Sequence, residues 1–357
     1  MSQFSRDEVM MKFSEKREYN LKLADFYRTF NGKPFMSKLK LPSDRLRYIE
    51  RMSHAIENCH SHGFFIYNRA NGRHKFISDT HCNNRFCPFC SARERRIVTS
   101  QIRWRYDCLE PGKYDFYFVT LTIPNVPGEL LRDSLLTFQK ALYSFVGLLG
   151  FSPKKEYTKS VGVFGGLEIT YNKKRNDFHP HWHLIFAVPS EWCVVGTSYK
   201  MPYIKHKITF SDSFIMQEWI DRYNYSFSDK RTFLSVDCKK VYDFVGSLPE
   251  LIKYTVKSYE INSSEVLYHL HNALFHLSVF MKRGLFAWKR DELPEYEAFM
   301  QRLRDSQKAN FIQSDTDIYL YRCGSYLNFK IDCLNHLDDI YLKVYNRFIN
   351  HSEVLIE

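Results

Sequence analysis

Three of the chain's nine cysteines, Cys82, Cys87 and Cys90, fall within nine residues of one another, and this cluster restricts the fold more than any other feature. The run reads His81-Cys82-Asn-Asn-Arg85-Phe-Cys87-Pro88-Phe-Cys90. A Cys-x-x-Cys bend, stiffened here by Pro88, brings two thiolates within reach of one tetrahedral ion, and Cys82 can supply a third sulfur. The fourth ligand has to come from farther away. Cys59 is the best candidate, with His60, His62 and His81 as competitors. The cysteine number is odd, and the polar, charged first residues lack the apolar stretch of an export signal. Both point to a reducing, cytoplasmic setting in which clustered thiols hold metal rather than form disulfides. A redox Cys-x-x-Cys would leave Cys82 without a role. The expectation is a structural Zn²⁺ site.

Residues 83–105 carry Arg85, Arg93, Arg95, Arg96, Arg103 and Arg105 against one acid, Glu94. A stapled loop leading into an Arg-rich helix suits contact with phosphates, the alternative being an ordinary solvated helix face. The whole chain has the same bias, with 51 Lys and Arg against 40 Asp and Glu and a formal charge of +11. That balance favours a polyanionic partner, DNA above all. Apolar residues at 44% and aromatics at 17% exclude intrinsic disorder. No stretch approaches the ~18 apolar residues of a membrane span.

Periodicity predicts helices over 6–31, 43–58 (Ser43 a candidate N-cap), 92–106, 129–149, 211–225, 247–259 and 264–282. Strand-like runs in 63–79 surround Asn71-Gly72 and read as a hairpin. Further strands are expected at 114–123, 161–171, 178–188 and 232–241. The tail holds Asp317-Ile-Tyr-Leu-Tyr-Arg322 and a Leu/Ile/Tyr-rich final helix. Strands and helices do not alternate as βαβ units, so the class is α+β.

The strand Phe178-His179-Pro180-His181-Trp182-His183 places His181 and His183 on one face, because residues two apart on a strand point the same way. Two imidazoles side by side form half of a divalent-metal site. If the turn with the preceding strand is centred between Lys174 and Arg175, Glu168 lies opposite His181 and adds a carboxylate; a slip of one residue would remove it. His269-Leu270-His271 has the same spelling but lies in a helical pattern, where the rings diverge by about 200°, and is rejected as a site.

In Leu248-Pro249-Glu250-Leu-Ile-Lys-Tyr254-Thr-Val-Lys257, the residues Glu250, Tyr254 and Lys257 share a helix face. A phenol, with a free pKa of about 10, needs an activated target or a nearby cation to act as a nucleophile. Lys257 could stabilise a phenolate or phosphate, and Glu250 could take a proton from water. In a chain with 24 Tyr, a merely packed tyrosine is the competing reading.

The order of these motifs, with Phe118-Val-Thr120-Leu-Thr122-Ile-Pro-Asn125 before them, resembles the replication initiator (Rep) proteins of rolling-circle plasmids, single-tyrosine members of the HUH endonuclease superfamily. The resemblance covers about residues 50–290. It implies a central antiparallel sheet flanked by helices, preceded here by a small zinc-binding module. The expected segment order is a helical N-terminal arm at 1–50 outside the motifs, the zinc and basic-helix module at 51–108, the nuclease domain at 109–290, and a region of unassigned role at 291–357. His181 and His183, with Glu168 as a third ligand, would hold Mg²⁺ or Mn²⁺. Tyr254 would be the nicking nucleophile, Glu250 the acid that activates water at termination, and Lys257 the trailing lysine. His179 fits the His-Pro-His-aromatic-His pattern, and Thr120 and Thr122 would be structural or DNA-positioning. Tyr254 and Tyr259, five apart, are not the one-turn pair of two-tyrosine enzymes. The implied activity is strand-specific nicking with a 5′-phosphotyrosine intermediate and a 3′-OH primer. Implied partners are single-stranded or hairpin origin DNA and a host helicase and polymerase. A transposase or relaxase shares the chemistry. A non-enzymatic zinc-dependent DNA-binding regulator is the reading from another class, and it leaves the histidine pair unexplained.

Overall fold

The computed structural model describes residues 6–30, 42–69, 74–77, 80–151, 160–202, 204–252, 261–287, 292–311, 316–322 and 325–328. The elements follow in chain order. They are α1 (Arg6–Arg28), α2 (Pro42–Asn58), β1 (His62–Asn68), β2 (His74–Ile77), α3 (Pro88–Asp107), β3 (Tyr114–Thr122), β4 (Val126–Pro127) and α4 (Leu131–Leu148). After these come β5 (Gly162–Asn172), β6 (Asp177–Pro189), β7 (Cys193–Val195), β8 (Ser198–Tyr199), β9 (Ile208–Thr209), α5 (Asp212–Ser226) and β10 (Val236–Val241). The last are α6 (Phe244–Leu251), α7 (Ser264–Leu274), β11 (Phe280–Gly284), α8 (Leu293–Phe311), β12 (Thr316–Arg322) and β13 (Ser325–Asn328). The class is α+β, as expected.

The chain forms two compact units, Met1–Arg96 with Leu293–Glu357, and Ile97–Glu292. In the first, α1 buries Phe13, Arg17, Asn20, Leu23, Ala24 and Tyr27, the three-and-four spacing of one helix face, and packs on α2. Its sheet runs β13-β12-β1-β2. The expected hairpin forms β1 and β2, with Phe64 opposite Ile77. The other neighbour of β1 is β12, which comes from the C-terminal region and sets Phe64 opposite Leu320. With strands on both sides and covered faces, β1 is apolar throughout Phe64, Phe65 and Ile66.

The second unit is built on a sheet ordered β10-β3-β6-β5-β11, with β4 added beside β6, and every pairing is antiparallel. One face is covered by Val98 and Ile102 of α3 and by Phe244, Leu248 and Leu251 of α6, packed on Phe164, Ile185 and Ala187. On the other, α4 packs on α5 and α7, and Trp219 of α5 donates its indole N–H to the Thr122 carbonyl at 2.8 Å.

Four expectations change. Helix α7 stops at Leu274, and Phe280–Gly284 is an edge strand pairing with β5, so the expected helix over 264–282 is cut short and ends in a strand. The left-handed His276 (φ 55) breaks the helical path, and the backbone of Phe280 and its neighbours is taken up by the ladder. Helix α6 begins at Phe244 because the Asp243 carboxylate caps it, accepting from Gly246 N at 2.9 Å, so Pro249 sits inside the helix and not in its first turn. Helix α2 already includes Pro42, so Ser43 lies in the first turn and does not cap it. Helix α3 starts at Pro88, which brings Cys90 into its first turn. The final helix expected in the tail lies outside the described residues.

Candidate active site

The hairpin of β5 and β6 builds the site. Asn172 Oδ1 accepts from the backbone N–H groups of Lys174 (3.0 Å) and Arg175 (3.2 Å), and Asn176 adopts a left-handed φ of 54°. This side-chain-closed turn sets the register. Glu168 then stands opposite His181, and Gly166 opposite His183. On the other side of β6, Thr120 pairs with His183 and Thr122 with His181. Because directly paired residues share a face, Glu168, His181, His183 and Thr120 converge.

Glu168 Oε2 lies 3.0 Å from Nε2 of His181 and 3.0 Å from Nε2 of His183. The carboxylate is 3% exposed and the rings 12% and 9%, so the cluster is nearly sealed but reachable along the imidazoles. Burial alone pushes the Glu168 carboxyl up; the hydrogen bonds from both imidazoles outweigh it and hold the group well below the usual carboxylate range.

The far ring nitrogens are engaged too. His181 Nδ1 faces the His179 carbonyl at 3.2 Å, and His183 Nδ1 faces Thr120 Oγ1 at 3.1 Å. A carbonyl only accepts, so the His181 proton belongs on Nδ1. With Nδ1 so engaged, Nε2 is the nitrogen left for the carboxylate or for a cation shared with it. Two ligand atoms at about 2.1 Å from an octahedral ion and at right angles lie ~3.0 Å apart. Oxygen and imidazole donors, each oriented by an outer partner, suit a divalent ion such as Mg²⁺ or Mn²⁺. His179 is not a member of the converging group. Its ring is held below the usual histidine value by burial and then by His181.

Helix α6 ends against this cluster. A Cβ added at Gly166 would meet the Leu251 carbonyl oxygen at 2.8 Å, so only glycine lets the helix end approach the strand residue paired with His183. Glu250 lies in the helix backbone, its side chain outside the described residues, and Tyr254 and Lys257 lie outside them altogether.

The second candidate metal group is Cys59, Cys82, Cys87 and Cys90, whose sulfurs all lie within 4.8 Å of one another. Cys59 Sγ is 3.6 Å from Cys87 Sγ and from Cys90 Sγ, and Cys82 is 3.6 Å from Cys90. A tetrahedron with Zn–S of about 2.3 Å has edges of ~3.8 Å. The donors therefore fit zinc. Hydrogen bonds from the Cys59, Cys82 and Cys87 thiols hold Cys90 well below the usual thiol range, which favours the thiolate a metal needs. Of the competitors for the fourth place, His60 stacks on Phe89 at 4.5 Å between ring centroids, and none belongs to the group. Two polar residues of α1 support the site: Arg17 donates to the Cys59 carbonyl at 2.8 Å, and Asn20 Nδ2 donates to Cys87 Sγ at 3.3 Å. Sequence reading passed over both. Their signal was two polar residues on the buried stripe of α1.

The six arginines are not equivalent. Arg105 is 11% exposed, bonds Glu292, and donates to the Ala287 carbonyl at 2.6 Å, so it is an internal cation and not the phosphate contact expected of it. Burial pushes the Arg85 guanidinium down. Arg93, Arg95 and Arg96 are half-buried, and Arg103 is exposed, 3.8 Å from Asp107. His269 and His271 form no metal group among the described residues; His269 lies 3.8 Å from Glu129 and 3.9 Å from Glu265.

Among the described residues, no helix is long and apolar enough to cross a membrane. No solved structure matches the chain. Curated proteins do. It is 28% identical over 181 residues to a Protein rep of Staphylococcus aureus, covering 50% of this chain and 69% of that one. It is 27% identical over 277 residues to a Protein rep of Streptococcus pneumoniae, covering 74% and 80%, and 23% identical over 270 residues to one of Lentilactobacillus hilgardii, covering 73% and 74%. The family model for replication proteins matches residues 73–321, a span that holds three of the four cysteines and the whole Glu168–His181–His183 cluster, so the chain belongs to the Rep_1 replication protein family.

Proposed function

We propose that this Rep protein initiates rolling-circle plasmid replication as a site- and strand-specific DNA nickase and strand transferase. The observation that carries the reading is the convergence of Glu168, His181 and His183 at 3.0 Å across two paired strands, in a chain of a replication family. A divalent cation on these three donors would supply Lewis-acid polarisation of the scissile phosphate. Thr120 and the His179 carbonyl keep the two rings turned inward. Tyr254 is the nucleophile: its oxygen forms a bond to phosphorus, the bond from phosphorus to the 3′-oxygen breaks, and the proton ends on the freed 3′-OH. The 5′-phosphotyrosine stores the phosphodiester for rejoining, and the 3′-OH primes synthesis by a host polymerase behind a host helicase. At termination Glu250 takes the proton of the attacking water or 3′-OH, and Lys257 offsets charge on the phosphate. The cysteines hold structural Zn²⁺, and Arg85, Arg93, Arg95, Arg96 and Arg103 contact origin DNA.

The test is a labelled single strand spanning the nick site of the parent replicon, incubated with protein and Mn²⁺. The expected result is a covalent adduct, mapped by peptide mass spectrometry to Tyr254 and absent in His181→Ala and His183→Ala. Origin binding with no adduct overturns the nickase reading.

A further inference from the structure

Strand β10 is the edge of the sheet that carries the histidines. Its register sets Asp237 opposite Thr120 and Lys239 opposite Phe118, so these two side chains lie on the face of the histidine cluster. Thr120 itself touches His183. Around this strand stand the three most exposed aromatic rings among the described residues. Tyr242 is 91% exposed, Tyr225 84% and Phe233 68%. Rings held outside the core around one strand are available to a partner.

The end of α5, which carries Tyr225, and the loop after it, which carries Phe233, are tied down. Tyr223, buried one turn inside α5, gives its hydroxyl to Asp229 at 2.8 Å and stacks on Phe227 at 4.2 Å. Asn224 clamps the backbone of Arg231, donating to its carbonyl at 2.8 Å and accepting from its N–H at 2.7 Å. The segment between α5 and β10 is therefore preorganised, with Tyr225 and Phe233 turned outward. Cations lie among the rings, Lys230 and Arg231 before β10 and Lys239 on it, while Lys240 turns to the other face and pairs with Asp115 at 2.9 Å. The ion pair of Lys239 with Asp237 is exposed on both sides, and such pairs are cheap to exchange for a phosphate.

We propose that β10 and its flanks are a stacking track for single-stranded DNA leading to the histidine cluster, with bases on Tyr225, Phe233 and Tyr242 and the backbone along Lys239. Alternating π-faces and cations suit a single strand, whose bases are free to stack, and not a duplex. The six residues of β10 give the track about 20 Å at ~3.3 Å per residue. This deepens the nickase reading and rests on it for the direction of the strand, but its test does not need cleavage.

The experiment is fluorescence anisotropy with a labelled mixed-sequence single strand and the matching duplex, on full-length Tyr254→Phe protein without added Mg²⁺ or Mn²⁺. Each of Tyr225→Ala, Phe233→Ala and Tyr242→Ala should weaken single-strand binding about five- to a hundredfold and duplex binding little. Phe233→Tyr should restore it, and Leu130→Ala, another exposed apolar residue, should change nothing. Lys239→Ala should lower the salt slope by about one. Unchanged single-strand affinity in the triple alanine variant, with an unchanged melting curve, overturns the track and returns the edge to pairing with protein. Equal losses on single strand and duplex overturn it too. Loss of binding in these variants, where the protein with Tyr254 intact forms no adduct on its origin strand with Mn²⁺, keeps the track and removes the nickase.

Discussion

The cysteine group and the histidine group could each hold a cation with a few side chains, and they are built for it in opposite ways. Four sulfurs from three chain segments close a tetrahedron, with Cys59 and Cys87 fully buried and Asn20 bonded to a sulfur from outside. Three donors from two neighbouring strands leave the rest of an octahedron free, with both imidazoles reachable from solvent. The first arrangement has no place for a substrate; the second has little else to offer. The comparison teaches that the residue types alone would permit metal at both sites, while the number of donors separates scaffold from chemistry.

The largest effect expected from breaking this contrast is at the closed site. Cys87→Ser should abolish zinc binding and with it ~10 kcal/mol or more of metal-linked folding free energy, read by zinc quantification and thermal unfolding. His183→Ala should do the reverse, leaving zinc content and the melting curve nearly unchanged while Mn²⁺-dependent adduct falls below detection. Should both variants lose zinc, the two sites are not independent and the contrast fails.

Smaller changes sharpen it. Gly166→Ala puts a methyl 2.8 Å from the Leu251 carbonyl, so α6 must shift; adduct formation should drop by more than tenfold with zinc retained. Thr120→Val removes the partner of His183 Nδ1 and should weaken Mn²⁺ binding ~10- to 100-fold, measured by titration of nicking against metal concentration. Asn20→Leu deletes one N–H···S bond, costs about 1 kcal/mol, and should shift the charge-transfer bands of the Co²⁺-substituted protein. The least perturbing probe is alkylation at neutral pH. Burial, then Asp212 and Asp237, push the Cys238 thiol up to about 12. Iodoacetamide should therefore label exposed Cys108 and Cys193 but spare Cys238, and reach the four clustered cysteines only after chelation.

Much of this was legible in the linear chain where the determinants are local. The Glu168–His181 pairing follows from a turn that Asn172 closes within its own few residues. Cys59 could be named because a hairpin of short span returns the chain to Cys82. Strand β11 was not legible, since its apolar spacing also fits a helix and only the free edge of β5 decides between them. Arg105 was misread for a related reason: an arginine-rich helix looks uniformly exposed until Glu292, far away in the chain, claims one of them.

By itself, the order of residues determined which atoms could meet a metal, because sulfur spacing at Cys87 and Cys90 and strand alternation at His181 and His183 act over a few bonds. Tertiary structure alone decided which groups stand behind those atoms and which elements close around them. Asn20 on Cys87, Thr120 on His183, β12 beside β1 and the end of α6 over Gly166 all join residues distant in the chain. Their contacts depend on how whole helices and strands bury their apolar faces, and that choice is made by the fold as a unit.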